Sequence, residues 1–341
     1  MKQIILLGFT VGLVACGGGS TTESGAAGDA SAGSPAIITV DGSSTVYPVT
    51  EAVAEEFQRA RPGTRITVGI SGTGGGVAKF CRDEIDIADA SRPIRPIEAE
   101  ACVKAGVQFI ELPVAYDGLA IVVHPKNTWA TSMTVAELKK LWEPSAQGKI
   151  LRWSDVRSGW PNNEVHLFGA GTDSGTFDYF TEAIVGKEDA SRGDYTSSED
   201  DNVIVQGVSG DEHALGYFGY AYYEENKDKL KLVAIDDGND ANGKGPILPS
   251  PESVNNGTYR PLSRPIFIYP KIKALERPEV AAFVDYYLKD GVPLVREVGY
   301  IPLTEREYEL VRSRFTARKA GSMYDGTDGQ SQVTLEQRMS K

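Results

Sequence analysis

The sequence GAGTDSGTF at residues 169–177 connects a short apolar run, VHLF at 165–168, to the helix-like stretch DYFTEAI at 178–184. Glycines and small hydroxyl residues at a turn from a strand into a helix leave backbone N–H groups without partners, and the positive end of the helix dipole points the same way. Such a turn is typical of an anion-binding site. Ser, Thr and Asp are also ordinary helix N-caps, so this stretch alone leaves both interpretations open.

The same arrangement of strand, Ser/Thr/Gly turn and helix occurs twice more, earlier in the chain. The strand IITV at 37–40 leads into DGSSTVYP at 41–48, and the strand RITVGI at 65–70 leads into SGTGGG at 71–76. In a parallel sheet with helices between the strands, the turns that follow the strands lie at one edge, where α/β proteins bind ligands. The pattern therefore predicts an α/β fold in which the three turns meet at a ligand site.

A further segment, DIADASRPI at 86–94, brings a short strand and an arginine to the same edge. It places Asp89, Ser91 and Arg92 beside the hydroxyl-rich turns. An arginine fixed by a following proline can bind an oxyanion through two parallel N–H bonds, although a lone arginine is often a surface ion-pair partner. Because converging polar groups mark binding sites, we expect Arg92 to contact the ligand.

Two apolar strand-like segments divide the chain. LAIVVHP at 119–125 leaves a first α/β unit, and RPIFIYP at 264–270 returns to it. Two crossovers between two α/β lobes make a hinge, and a ligand bound in the cleft closes it. We expect the first lobe to comprise residues 37–123 and 265–318, and the second lobe residues 124–264.

The second lobe contains four further interpretable segments. A helix is predicted at 135–142 with Thr134 as its N-cap, and a strand is predicted at 203–208. The polar stretch 192–201 is expected to be exposed. The aromatic and glycine-rich run 214–223 is expected to supply packing residues, since large aromatic side chains mainly bury area.

The N-terminal residues are typical of a lipoprotein signal peptide. After a short basic start, the apolar run 4–14 is too short to span a bilayer, and the LVAC that ends at Cys16 resembles a bacterial lipobox. We expect residues 1–16 to be the signal, cleaved before Cys16, whose thiol then carries lipid. An ordinary signal peptide with an incidental cysteine is the alternative. Residues 17–36 would be a flexible tether, and residues 319–341 a polar tail.

Composition narrows the function classes. The chain has 341 residues and a net charge of −12, which favours two domains and argues against nucleic acid or an anionic membrane surface as a partner. Besides Cys16 there are two cysteines, Cys81 and Cys102, and an isolated pair in an exported protein most simply forms one disulfide. Two cysteines and scattered histidines do not make a zinc site, so no metal or cofactor is expected.

Several of these segments resemble a known family. The motifs look like those of the phosphate-binding proteins of phosphate ABC transporters, and they are GSSTVYP (42–48), SGTGGG (71–76), DIADASRPI (86–94), GTDSGTFDYF (171–180) and GYFG (216–219). The closest resemblance is to the SphX-like branch of the PstS-type family. It implies a two-lobed type II periplasmic binding protein that binds inorganic phosphate without catalysis and hands it to a membrane permease. The protein would be a monomer, periplasmic or at the cell surface, anchored to the membrane by the lipid on Cys16.

The resemblance implies that each Ser/Thr turn donates hydroxyl and backbone N–H bonds to one dehydrated phosphate. Arg92 and Ser91 would add to the same site. The turn residues that carry over are Ser44, Thr45 and the N–H of Val46, then Thr73 or Ser71, then Ser174, Gly175 and Thr176.

The sequence departs from the better-known branch of the family at two positions. Ala170 stands where that branch has an arginine, and Ser91 stands where it has an aspartate. Phosphate at neutral pH still carries a proton and needs one acceptor, whereas sulfate needs only donors. The candidate acceptors are Asp89, Asp173 and Asp117, and Arg92 would restore the positive charge.

Other functions fit the same sequence less well. A sulfate or molybdate receptor would use the same turns. A secreted hydrolase or phosphatase with Ser174 as nucleophile is the alternative from another class, but no G-x-S-x-G elbow or metal cluster accompanies it. A phosphate sensor or adhesin of the same fold is a third reading.

Overall fold

The computed structural model describes residues 36–172, 174–198, 200–324 and 333–340. The expected signal peptide with Cys16, nearly all of the tether, Asp173 and part of the polar tail lie outside these residues. No helix in the described ranges has the length and apolar character needed to cross a membrane.

Strands and helices alternate through most of the chain. The strands are β1 Ala36–Gly42, β2 Thr64–Ile70, β3 Ile87–Ala90, β4 Leu112–Val123, β5 Ser132–Thr134, β6 His166–Ala170, β7 Thr196–Ser198, β8 Ala214–Gly219, β9 Lys231–Leu232, β10 Ala234–Asp236, β11 Ser263–Pro270 and β12 Ile301–Pro302. The α-helices are α1 Tyr47–Ala60, α2 Gly72–Cys81, α3 Pro96–Lys104, α4 Val135–Trp142, α5 Trp153–Val156, α6 Gly175–Phe180, α7 Asp201–Gly210, α8 Tyr220–Asn226, α9 Pro251–Asn255, α10 Pro278–Tyr287, α11 Val292–Glu297, α12 Glu305–Thr316 and α13 Leu335–Met339. A π-helix, Thr181–Val185, continues α6.

One long sheet runs in the order β2-β1-β3-β11-β4-β8-β6-β7. The central strand β4 pairs with β11 over its first half and with β8 from Leu119 onwards. Strands β1, β2 and β3 are parallel, as are β6, β7 and β8. The sheet therefore has two halves, joined by β4, which leaves the first half, and by β11, which re-enters it. Both strands were predicted as crossovers, while the exact lobe boundaries stay a prediction.

The helices of both halves bury their apolar faces against this sheet. In α1, Val49, Val53 and Phe57 recur at helical spacing and are all buried. Helix α4 begins as predicted, because the Thr134 hydroxyl accepts from the N–H of Glu137 while the Glu137 carboxylate accepts from the N–H of Thr134. The local sequence signals therefore identified these two helices correctly.

The predicted strand at 203–208 was wrong, because this segment lies inside helix α7. The apolar β-branched run suggested a strand, but its buried residues Ile204 and Val208 are four apart, which is the spacing of one helix face. The Asp200 carboxylate accepts from the N–H of Asn202 and caps the helix. Packing and capping outweigh the β propensity of valine and isoleucine here.

The expected exposure of the polar stretch 192–201 was wrong at its first residue. Arg192 is buried, and its guanidinium donates to the carbonyls of Leu141 and Ile150 and pairs with Asp194. Carbonyl groups at the end of α4 lack helical partners, and a buried arginine satisfies them.

The disulfide is a further feature that matches the sequence-based expectations. Cys81 and Cys102 form a disulfide that joins α2 to α3. The described part of the polar tail lies against the first half of the sheet, where the hydroxyl of Ser322 and the N–H of Met323 donate to the buried Glu111 carboxylate.

Candidate functional site

The first two turns and the second half of α6 converge on one cavity of about 310 Å³. Its walls come from the turn between β1 and α1, the start of α2, the end of β3, helix α6 and the start of β11. Six of the predicted site residues line it, namely Ser44, Thr45, Ser71, Thr73, Ser91 and Arg92. Its lining consists mostly of polar and charged side chains, which suits a small anion, because a buried charge needs hydrogen-bond partners.

The hydroxyls of the second turn are already engaged with their neighbours. Thr73 Oγ1 and Ser91 Oγ lie 3.1 Å apart, and the Ser91 N–H donates to Thr73 Oγ1 at 3.2 Å. The Ser71 hydroxyl donates to Asp41, which also pairs with Lys79. Thr73 and Ser91 are therefore brought together at the cavity wall, whereas Ser71 points its hydroxyl at the carboxylate of Asp41.

Four other predicted residues lie next to the cavity and are not among those lining it. The Val46 N–H donates to the Ser43 carbonyl at 3.2 Å. Ser174 is the N-cap of α6, and its hydroxyl accepts from the Thr176 N–H at 3.2 Å. The capping interpretation of the third turn therefore describes the structure, and ligand contact by Val46, Ser174, Gly175 and Thr176 stays a prediction.

The two sides of the cleft touch at Gly175. The Thr45 hydroxyl donates to the Gly175 carbonyl at 3.4 Å. A Cβ atom on Gly175 would lie 2.7 Å from the Thr45 nitrogen and 2.8 Å from its Cα. This backbone approach needs a glycine, and it brings the first turn against α6 with the cleft closed.

Arg92 lines the cavity but is paired with a neighbour. Its Nη1 and Nη2 donate to the two carboxylate oxygens of Glu98 at 2.9 and 2.7 Å. This bidentate pair uses the two parallel N–H groups that a bound oxyanion would need. Direct ligand contact by Arg92 stays a prediction.

Arg264, the second residue of β11, is a cavity residue that the sequence analysis missed. Its Nη2 donates to Thr45 Oγ1 at 3.3 Å, and its Nε lies 3.5 Å from Asp117 Oδ2. Its Nη1 lies 3.3 Å from Glu182, and the guanidinium stacks 3.7 Å from the centre of the Tyr179 ring. The signal was the Arg-Pro pair at 264–265, which repeats the pair at 92–93.

Neither of the described acceptor candidates lines the cavity. Asp117 is 5% exposed and lies behind Arg264, and burial raises its pKa to about 6 against the opposing effect of the guanidinium. Asp89 is fully buried in β3, facing Thr50 of α1 and Tyr287 of α10. Its burial raises its pKa to about 8.

The buried Asp89 predicts a pH-dependent stability. Its folded pKa of about 8 lies above the ordinary value of 3.8, so the folded protein keeps a proton that the unfolded chain releases. The free energy of unfolding should therefore fall as the pH rises from 5 to 8, and Asp89→Asn should remove this fall. Relative to the wild type, the free energy of unfolding of the variant should rise by up to about 4 kcal/mol between pH 5 and pH 8, at 1.36 kcal/mol per pH unit.

Urea unfolding at pH 5 and pH 8 measures this gain. The control is Asp290→Asn, which removes an exposed carboxyl from the end of the same α10 region and should follow the wild type. If the free energy of unfolding changes by the same amount between pH 5 and pH 8 in the wild type and in Asp89→Asn, Asp89 is ionised in the folded protein. That result would contradict the prediction.

Comparison with known proteins places the chain among binding proteins. Residues 26–290 match the family model of the PBP superfamily domain. The chain is 50% identical over 291 residues to protein SphX of Synechococcus elongatus, covering 85% of each. It is 34% identical over 309 residues to the phosphate-binding protein PstS of Staphylococcus saprophyticus, covering 90% of this chain and 91% of that one.

A solved structure gives the same result. A possible phosphate binding protein from Planctomyces limnophilus matches with a TM-score of 0.79 at 48% identity, over 84% of this chain and 99% of the other. The predicted two-lobed α/β fold with a cleft between the lobes and the predicted family are confirmed.

Proposed function

The chain belongs to the PBP superfamily and, within it, to the SphX- and PstS-type proteins, and from this membership we propose that it binds inorganic phosphate as the substrate-binding component of a phosphate ABC transporter. The observation that carries the proposal is the polar cavity in which two hydroxyl-rich turns meet Arg264. A dehydrated anion needs many fixed donors around it, and charge-assisted bonds from a guanidinium are the strongest of these.

We assign the ligand contacts as follows. Ser44, Thr45, Thr73 and Ser91 supply hydroxyl donors, and Arg264 supplies the central positive charge. Further donors are proposed from the sequence, namely Val46, Ser71, Arg92, Ser174, Gly175 and Thr176, and Asp173 stays a candidate acceptor. Small movements of the turns would free those donors that now bond to neighbours.

The PstS relative is named as a phosphate-binding protein, and we propose that this chain is likewise not an enzyme. Its hydroxyl residues would bind phosphate and not attack it. The test is turnover of a chromogenic phosphate ester by the purified protein, where release of the chromophore above background would contradict the proposal.

We propose that a lipid on Cys16 holds the protein as a monomer at the outer face of the membrane, near the permease. The residues that would form the signal and the tether have the composition described above. Fatty-acid labelling that is lost in Cys16→Ser would support the anchor, and labelling that persists would contradict it.

Isothermal titration of the ligand-stripped protein tests the ligand. We expect phosphate to bind tightly and sulfate and molybdate at least about 100-fold more weakly at neutral pH. The acceptor that bonds to the phosphate O–H would face an oxyanion without a proton when sulfate or molybdate binds. Equal binding of sulfate or molybdate would favour the alternative oxyanion receptor. If none of the three anions binds, the proposed function is wrong although the fold is right.

A further inference from the structure

A phosphate cleft that rejects sulfate needs a proton acceptor, and the cavity offers few. Hydrogen phosphate presents one O–H, whereas sulfate presents only acceptor oxygens, so a carboxylate in contact with the anion attracts the first and repels the second. The carboxylates among the described residues lining the cavity are Asp178, Glu182 and Glu188. Among the described residues, these three are therefore the candidates for the acceptor, while Asp173 lies outside them.

Exposure and contacts separate the three groups. Glu182 and Glu188 are exposed, and Glu182 already faces the guanidinium of Arg264 at 3.3 Å. Exposed carboxylates are hydrated and lose rotational freedom when they bind. Asp178 is half-buried on α6, and α6 and the adjoining π-helix hold its backbone in place.

Asp178 also reaches across the cleft. Its Oδ2 accepts from the Ser44 hydroxyl at 3.1 Å, which ties the third turn's helix to the first turn. Within the described ranges, its other oxygen, Oδ1, has no hydrogen-bond partner. A carboxylate that lines the cavity, is fixed through one oxygen and keeps its second oxygen unbonded can accept a hydrogen bond from a ligand O–H.

We propose that Asp178 accepts a hydrogen bond from the O–H of bound hydrogen phosphate and thereby makes the cleft select phosphate over sulfate, an assignment that rests on the proposed function. The better-known branch of the family has an aspartate at the position of Ser91. Asp178, which lies in the second half of the chain's sheet, would take the role of that aspartate. The Ser44 hydroxyl has one proton. It would donate that proton in a hydrogen bond either to Asp178 or to the anion.

The electrostatic surroundings suit this role. Burial raises the pKa of Asp178 to about 6, the Ser44 hydrogen bond opposes the rise, Glu188 and Asp189 add to it, and Arg264 opposes it. The group is therefore ionised at neutral pH and more basic than a surface aspartate, which makes it a stronger acceptor.

The test is the ratio of phosphate to sulfate affinity in Asp178→Asn, measured by titration calorimetry at pH 7.5. The amide keeps the size of the carboxylate and offers an N–H to the anion. We expect phosphate to bind about tenfold or more weakly and sulfate to bind more tightly, so that the ratio falls about 100-fold. The matched control is Glu188→Gln, which removes the same charge from the same cavity and should change the ratio less than about threefold.

A second readout uses the wild-type protein and needs no folded variant. Sulfate keeps its charge between pH 7.5 and 5, so its affinity reports on the groups around it. The titratable and charged groups facing Asp178 are Glu182, Glu188, Asp189 and Arg264. Sulfate affinity should rise as the pH falls through about 6, when the Asp178 carboxyl gains a proton that it can donate.

The outcomes separate the two proposals. Selective phosphate binding by the wild type with an unchanged ratio in Asp178→Asn overturns the assignment of Asp178 and leaves the phosphate function standing. Equal changes in Asp178→Asn and Glu188→Gln also overturn it, because they indicate a general charge effect. A wild type that binds neither anion overturns the function and the assignment together.

Discussion

Arg264→Gln is expected to weaken phosphate binding about 100-fold or more, because a cation removed from a largely buried anion site costs roughly 2–5 kcal/mol. The Arg264 side chain is 15% exposed, and it stacks on Tyr179 while donating to Thr45. Glutamine can replace one N–H donor but neither the charge nor the stacking. Titration calorimetry of the ligand-stripped variant with phosphate measures the loss.

Arg92→Gln is the matched control for this prediction. Both arginines line the cavity and precede a proline, but Arg92 is already bound by both carboxylate oxygens of Glu98. We expect its replacement to weaken phosphate binding less than about tenfold. The reverse order of the two losses would contradict the assignment of Arg264 and support the prediction that was made from the sequence. Circular dichroism shows whether each variant is folded.

Gly175→Ala is expected to prevent full closure of the cleft and to weaken phosphate binding about 10- to 100-fold. The added Cβ would lie 2.7 Å from the Thr45 nitrogen, a backbone atom that cannot turn away as a side chain can. Forcing the two sides apart costs roughly 1–3 kcal/mol, as overpacking does elsewhere. Because the clash arises only where the two sides meet, each side should keep its own fold.

Thermal unfolding with and without phosphate measures this effect. The variant should melt near the wild type without ligand and should show a smaller rise in Tm at a given phosphate concentration. Gly210→Ala, at the end of α7 with no atom within 4 Å of the added Cβ, is the control and should behave as the wild type. An unchanged phosphate-induced rise in Gly175→Ala would show that the contact with Thr45 is not part of the bound state.

The parts of the fold that follow from local sequence could be predicted. Strands, the turns after them and helix starts depend on residues that are close together in the sequence. The turns after β1 and β2 and the N-cap at Thr134 could therefore be identified from the sequence alone. The crossover in β4 was identified because its second half, residues 119–123, is continuously apolar, as a strand covered on both faces must be, and all of β4 is buried.

The central contacts of the candidate site could not be predicted in this way. Arg264 meets Thr45 across 219 residues, and Asp178 meets Ser44 across 134 residues. Asp178 carries no local mark that separates it from an ordinary surface charge, and the Arg-Pro pair at 264–265 does not indicate which turn Arg264 meets. Only the folding of the chain through β4 and β11 brings them to the same cavity.

Long-range packing also explains the errors elsewhere. Arg192, the first residue of the polar stretch 192–201, is buried because it donates hydrogen bonds to the carbonyls of Leu141 and Ile150. Asp89 lies within the short strand β3, which was expected to deliver it to the cleft. The pleat of β3 turns its side chain to the face covered by α1 and α10, so it lies beneath the site.

A crystal structure of the protein grown with phosphate would test the central claim most directly. We predict tetrahedral density in the cavity between the first two turns and α6, with the Arg264 guanidinium and the Ser44, Thr73 and Ser91 hydroxyls within hydrogen-bond distance of its oxygens, and Asp178 Oδ1 against one of them. Density for phosphate at another place, or a cavity filled only by water in a protein that binds phosphate in solution, would contradict the account.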